Sequence, residues 1–175
     1  MAQKSIPACD RDRLDAQFTA LMQEMGDDVL RLCYLLLRNR TLAEDAMQDV
    51  FLKVYRKMDT LREPQHTRTW VISITVNTCR DIRRSAWLRH TDMRVALEDL
   101  PPGTCEFTAE DDSVVREVMA LEPRYREILL LHYYQDMSAT ECAAALHLTL
   151  SGFYRRLKKA QSKLKPRLER WVLDE

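Results

Sequence analysis

Glycine and proline are scarce in this chain, at three and six among 175 residues. That scarcity excludes a turn-rich all-β fold, whose tight turns need residues with special backbone angles at short intervals. No stretch approaches the roughly 20 apolar residues of a membrane span, so no direct membrane insertion is expected. The first residues, "MAQKSIPACDRDRLD", lack the apolar centre of a signal peptide, which predicts a cytoplasmic protein. The five cysteines (Cys9, Cys33, Cys79, Cys105, Cys142) are scattered and include no C-x-x-C pair. They read as reduced thiols filling small apolar gaps rather than as a disulfide frame or a zinc site. His66, His90, His132 and His147 form no metal-ligand pair, and no glycine loop is present to cradle phosphate. The expectation is no metal, no cofactor, no small-molecule substrate and no catalysis.

What the chain does have is apolar residues at 46% and charge at 31%, weighted toward the helix formers Ala, Leu, Arg, Glu and Lys. Its formal charge is zero, but the charge is unevenly placed. Residues 62–94 carry seven Lys/Arg against three Asp/Glu, and residues 95–112 carry six acidic groups and no basic one. Residues 146–175 return to eight basic against three acidic. Two basic blocks flanking an acidic one predict two contacts with a polyanion and a linker kept off it.

Apolar residues recur at helical spacing from Leu14 through Phe18, Leu21, Met22 and Met25, are interrupted at Gly26, and resume from Val29 to Leu37. Thr41 and Glu44 have the spacing of a capping box. Behind them Ala43, Ala46, Met47, Val50, Phe51, Val54, Tyr55 and Met58 give an unbroken apolar stripe. Asp45, Gln48, Asp49 and Leu52 are left on the opposite face. "TWVISITVN" favours a strand by intrinsic preference. No other segment offers a partner strand, however, and a lone strand leaves its backbone groups unpaired. Residues 66–85 are therefore predicted helical. Residues 91–112 hold Pro-Pro-Gly and the acidic run without any sustained period, and read as a linker.

Beyond it helices resume at Val114, and Pro123 suits the start of another. Ser138 and Glu141 form a second capping box, with Met137 and Cys142 at staple spacing. A helix of two turns ends at Leu146, "HLT" turns, and Thr149 caps a longer helix. There Phe153, Leu157, Ala160 and Leu164 face inward, while Ser151, Tyr154, Arg155, Lys158, Lys159 and Ser162 face outward. A short helix, a tight turn and a long basic helix make a helix-turn-helix, whose second helix can enter a major groove and meet phosphates. The plainer alternative is a solvated basic face on a terminal helix. Lys163 and Lys165 near a helix C-terminus are explained by the helix dipole alone. Pro166 is expected to end or kink the helix, with Leu168 and Trp171 folding back onto the domain.

Taken in order, "AEDAMQDVFLKVYRKM", "TWVISITVNTCRDIRRS" and "ALEPRYREILLLHYYQDMSATECAAALHLTLSGFYRRLKKAQSKL" resemble the polymerase-binding helix, the −10-reading segment and the −35-reading domain of bacterial RNA polymerase sigma factors of the extracytoplasmic-function (ECF) group. The resemblance implies an all-α fold of two small helical domains joined by a flexible acidic linker, the second domain containing the helix-turn-helix. It would divide the chain into residues 1–90, the linker 91–112, and residues 113–175. It implies core RNA polymerase, promoter DNA and an anti-sigma factor as partners, and a cytoplasmic protein either free or held at the inner face of the membrane by that anti-sigma factor.

By the same resemblance Asp45, Gln48, Asp49 and Leu52 would hold the polymerase. Trp70, Asn77, Arg80, Arg83 and Arg84 would read or hold the −10 DNA, Trp70 having a plainer reading as a core aromatic. Ser151, Tyr154, Arg155, Lys158 and Lys159 would contact the −35 element. Asp81 would repel phosphate, and is expected to orient an arginine or cap a helix rather than touch DNA. Two positions depart from the family pattern: His147 stands where the turn usually has Gly, and Gly152-Phe153 replaces a commoner Thr-Val. The acidic linker either lies against the basic blocks or passes through a basic channel of polymerase. The competing function is a helix-turn-helix regulator that binds duplex DNA alone.

Overall fold

The computed structural model describes residues 8–60, 66–85 and 109–173, with side chains over 11–59, 66–85 and 114–166. Among the described residues there is no strand, and seven α-helices run in order: α1 (Ala8–Leu37), α2 (Arg40–Lys57), α3 (Thr67–Arg84), α4 (Ala109–Met119), α5 (Pro123–Leu129), α6 (Ala139–Ala145) and α7 (Leu150–Leu173). The fold is all-α in two helical regions, α1–α3 and α4–α7.

α1 does not break at Gly26. Its buried stripe (Leu21, Met25, Val29, Leu32, Leu36) keeps phase across the glycine, and a Cβ there would meet only open space. The cost of an interior glycine, about 1 kcal/mol, is outweighed by the side chains buried on either side. α1 ends at Arg38, whose φ of 59° turns the chain. Asn39 then caps α2 by accepting from the Leu42 amide at 2.9 Å. The expected Thr41–Glu44 capping box is therefore absent: the helix starts a residue before Thr41, and Glu44 pairs with Arg40 instead.

α3 is a helix despite its strand-preferring composition. Val71, Ile72 and Val76 are fully buried against α1 and α2. The Ser73 and Thr75 hydroxyls donate to the carbonyls of Thr69 and Val71, four residues back, at 2.8 and 2.9 Å. Local hydroxyl-to-carbonyl bonds let these side chains sit in a helix without an unmet polar group.

In the second region α4 begins at Ala109, inside the stretch expected to be linker; residues 86–108 lie outside those described. Pro123 opens α5 as expected. α5 passes into one wide turn, where the Gln135 amide donates to the Leu130 carbonyl. Ser138 and Glu141 form the capping box of α6 in full. His147 holds a φ of 53°, while the amides of His147 and Leu148 donate to the carbonyls of Ala144 and Ala143. That is the left-handed helix ending for which Gly is the commonest residue.

α7 runs through Pro166 to Leu173 without stopping. Ser162 and Pro166 are both exposed, so the carbonyl that loses its amide partner faces water rather than protein. With the helix continuing, Lys163 is no longer near a C-terminus and the dipole explanation for it lapses. Its amine instead reaches Glu122 at 3.0 Å. The side chains of Leu168 and Trp171 lie outside those described.

One buried cluster runs through both regions, and α3 lies against α6 while α1 lies against α5. Cys33, Cys79 and Cys142 are free and buried in it. Burial pushes the Cys142 thiol up to about 12, and the hydrogen bond with Cys79, then burial, pushes the Cys33 thiol up as well. Burial and a raised thiol pKa suit Cys33 and Cys142 to packing rather than to nucleophilic chemistry.

Candidate nucleic-acid interface

α2 separates its two faces cleanly. Ala43, Ala46, Val50, Phe51 and Val54 are buried, whereas Asp45, Gln48, Asp49 and Leu52 are all exposed on the far side. Leu52 keeps 54% of its surface in water. An apolar side chain set among carboxylates and an amide is suited to docking a partner that supplies apolar contact and Arg donors.

The residues expected on the −10 face of α3 are brought together unequally. Trp70 is half-buried and packed on the core. Asn77 is half-buried. Arg84 is exposed and meets Asp81 at 3.3 Å, so Asp81 does hold an arginine. Arg80 and Arg83 turn toward the second region and share one carboxylate there. Glu127 Oε2 accepts from Arg80 Nε at 3.1 Å and Nη2 at 2.9 Å, and its Oε1 accepts from Arg83 Nη2. Arg80 Nη1 also donates to the Leu146 carbonyl at 3.2 Å.

Glu127 was invisible to sequence reasoning as a functional residue. The available signal was its place inside the apolar run "REILLL", where a carboxylate can be buried only if paired. Arg126 beside it is buried too, donating to the carbonyls of Met119 at 3.1 Å and Leu36 at 2.9 Å. Burial, then the nearby Arg38 and Arg83 cations, lowers its pKa to about 10.

α7 presents its basic face differently. Phe153, Leu157 and Ala160 are buried, and the His132 ring meets Phe153 edge-on at 5.6 Å. Ser151, Tyr154, Arg155, Lys158 and Lys159 are all exposed, on the side predicted. Thr149 caps the helix by accepting from the Gly152 amide at 3.1 Å. A Cβ at Gly152 would approach that same hydroxyl to 3.0 Å, so the glycine keeps the cap uncrowded.

Between α3 and the second region lies a cleft of about 620 Å³ lined by Arg80, Arg83, Arg84, Arg124 and Arg156, with Glu122 and Glu127 as its carboxylates. Arg156 is held below its ordinary value by burial and then by Arg80. Among the described residues no group of three His, Cys, Asp or Glu side chains is placed to hold a metal ion, and no helix is long and apolar enough to cross a membrane.

The family model described as Sigma-70 region 2 matches residues 21–89, and the one described as Sigma-70, region 4 matches residues 111–164. The ECF RNA polymerase sigma factor SigW of Bacillus subtilis (strain 168) is 23% identical over 96% of this chain and 97% of that protein. Two solved structures are similar in fold. The sigma factor RpoE in complex with the anti-sigma factor NepR, from Bartonella quintana, is 18% identical, with a TM-score of 0.69 over 87% of this chain and 97% of that one. CnrH in complex with the cytosolic domain of CnrY is 23% identical, with a TM-score of 0.62 over 89% of each chain.

Proposed function

We propose a division of labour among three surfaces for this chain, which belongs to the sigma-70 family and to its ECF group. It is a transcription initiation factor: it binds core RNA polymerase and directs it to promoters. The outward face of α2 (Asp45, Gln48, Asp49, Leu52) holds the polymerase. α3 takes the −10 element, with Asn77 offering two donors and an acceptor to an unpaired base. Arg80, Arg83 and Arg84 take phosphates of the opened strands, and Trp70 braces that face from its core side. α7 takes the −35 element in a major groove through Ser151, Tyr154, Arg155, Lys158 and Lys159. Residues 1–90 and 113–175 act as the two functional domains. The factor has no catalytic activity of its own, and strand opening draws on binding energy for the unpaired bases. Its place of action is the cytoplasm, where an anti-sigma factor restrains it, free or at the inner face of the membrane.

The observation that carries this reading is the exposed apolar-acidic face of α2 in the same chain as a fully capped helix-turn-helix with a bare basic helix. A regulator that binds duplex DNA alone has no use for the first of these. Reversing charge with Asp45→Lys and Asp49→Lys should abolish co-purification with core polymerase while leaving far-ultraviolet circular dichroism unchanged. Retained association of the double variant would refute the assignment of that face.

A further inference from the structure

Beside the packing of α1 on α5 and the Arg126 bond to the Leu36 carbonyl, the polar contact between the two regions follows one stripe of α3. Near its start, Arg68 donates Nη1 to the Gln135 carbonyl at 2.7 Å and Nη2 to the Gln135 side-chain oxygen at 2.8 Å. Thr69 gives its hydroxyl to Glu141 Oε1 at 2.7 Å. Eleven and fourteen residues beyond Thr69, about three and four helical turns, Arg80 and Arg83 close on Glu127. The Glu127 carboxylate is 2% exposed and both its oxygens are committed to these two arginines.

Two features mark this contact as one made to open. A buried ion pair is a poor fastening, because desolvation cancels much of its attraction and an apolar pair of like volume would hold better. Among the described residues the lining of the cleft also sets five arginines against two glutamates. Beside it, Arg83 Nη1 is buried without a hydrogen-bond partner among the described residues, and Arg156 is depressed by burial and then by Arg80. Guanidinium forks accept carboxylate and phosphate by the same two-point geometry, so one anion can exchange for the other.

We infer that the basic stripe of α3 is an interaction surface for the chain's own second region, with the Glu127 carboxylate standing where a nucleic-acid phosphate would go. In the closed arrangement Arg80 and Arg83 are occupied, so these two can take phosphate only after the two regions part, with Arg84 alone left exposed. This rests on the assignment of α3 to the −10 DNA and adds to it an intramolecular competitor.

The test compares the full-length chain with Glu127→Gln and with Glu122→Gln, which removes the same charge from the same cleft without touching α3. Radius of gyration comes from small-angle scattering, and affinity from the anisotropy of a labelled mixed-sequence single-stranded oligonucleotide. Glu127→Gln should expand the protein and tighten oligonucleotide binding, by about tenfold if one parent molecule in ten is open. Glu122→Gln should leave the radius unchanged and move affinity far less. Arg68→Ala, an exposed position outside the DNA-facing arginines, should expand the protein in the same way, and circular dichroism shows whether each variant is folded. An unchanged radius in folded Glu127→Gln and Arg68→Ala would overturn the latch while leaving the assignment of α3 to DNA standing. Expansion without tighter oligonucleotide binding would overturn the masking, and that assignment with it.

Discussion

α3 and α7 both carry arginines and lysines on one face, yet they offer them to solvent in opposite ways. α7 buries Phe153, Leu157 and Ala160 within its own region and leaves Tyr154, Arg155, Lys158 and Lys159 in water. α3 is flanked on two sides. Val71, Ile72, Val76 and Cys79 face α1 and α2, while Arg68, Thr69, Arg80 and Arg83 face the second region. The same chemistry is therefore displayed in one helix and occupied in the other. Charge along a sequence tells which surfaces attract a polyanion; only the packing tells which of them is open to it. The difference also suits the two DNA targets proposed for these helices. A duplex element can be met at any time, whereas unpaired bases exist only once polymerase has engaged the promoter.

The largest expected effect breaks the display on α7. Phe153 is fully buried and meets the rings of His132 and Tyr154 edge-on. Phe153→Ala should cost about 3–5 kcal/mol, the range for emptying an aromatic site in a core, read as a shift in the urea unfolding midpoint. A loss below about 1 kcal/mol would mean that α7 holds its orientation without this side chain, against the ordinary cost of such a cavity.

A smaller effect sharpens the contrast at α3 through pH. Glu141 caps α6 by accepting from the Ser138 amide and hydroxyl at 2.9 and 2.7 Å, and accepts from Thr69 of α3 as well. The Ser138 hydrogen bond, then that from Thr69, holds its carboxyl below the ordinary value of 4.5. Because the folded value is the lower one, the stabilisation is complete above about pH 4.5 and is lost as pH falls through the folded value. Acid should thus fray α6 and release Thr69 together. Unfolding midpoints measured down through pH 4 should fall more steeply for the parent than for Glu141→Gln. Ser138→Ala, which removes the cap but not the α3 contact, should cost about 1 kcal/mol at neutral pH. Parallel pH curves for parent and Glu141→Gln would remove this carboxylate from the account.

What could be read from the sequence was what depends on near neighbours. The Ser138–Glu141 box, the Thr149 cap and the outward residues of α7 all follow from spacings within one or two turns. The helical state of α3 followed from elimination, since no partner strand existed. Readings failed where a local signal met a stronger local or tertiary one. Asn39 pre-empted Thr41 as the cap, buried side chains carried α1 across Gly26, and α7 did not end at Pro166. The engagement of Arg80 and Arg83 lay beyond reach, because Glu127 is 47 and 44 residues away and no periodicity links positions on helices of different regions.

The smallest expected effect separates cations within α7 itself. Lys158 is exposed, and Arg155 lies one turn nearer the N-terminal end of the helix, the end that reaches base edges in a helix-turn-helix. Lys163 is held differently: its amine sits 3.0 Å from Glu122 and 5.2 Å from the centre of the Tyr125 ring, on the side turned toward α5. Arg155→Ala should change which −35 sequences the polymerase complex prefers. Lys158→Ala should weaken all of them alike and lower the slope of log affinity against log salt by about 1, the signature of one lost phosphate contact. Lys163→Ala should leave that slope unchanged, since an amine already facing a carboxylate releases no counterion when DNA binds. Equal slope changes for Lys158→Ala and Lys163→Ala would mean that the exposed Lys163–Glu122 pair lets go on binding, as weak surface pairs can. The division between free and occupied cations would then be confined to the buried carboxylate of Glu127.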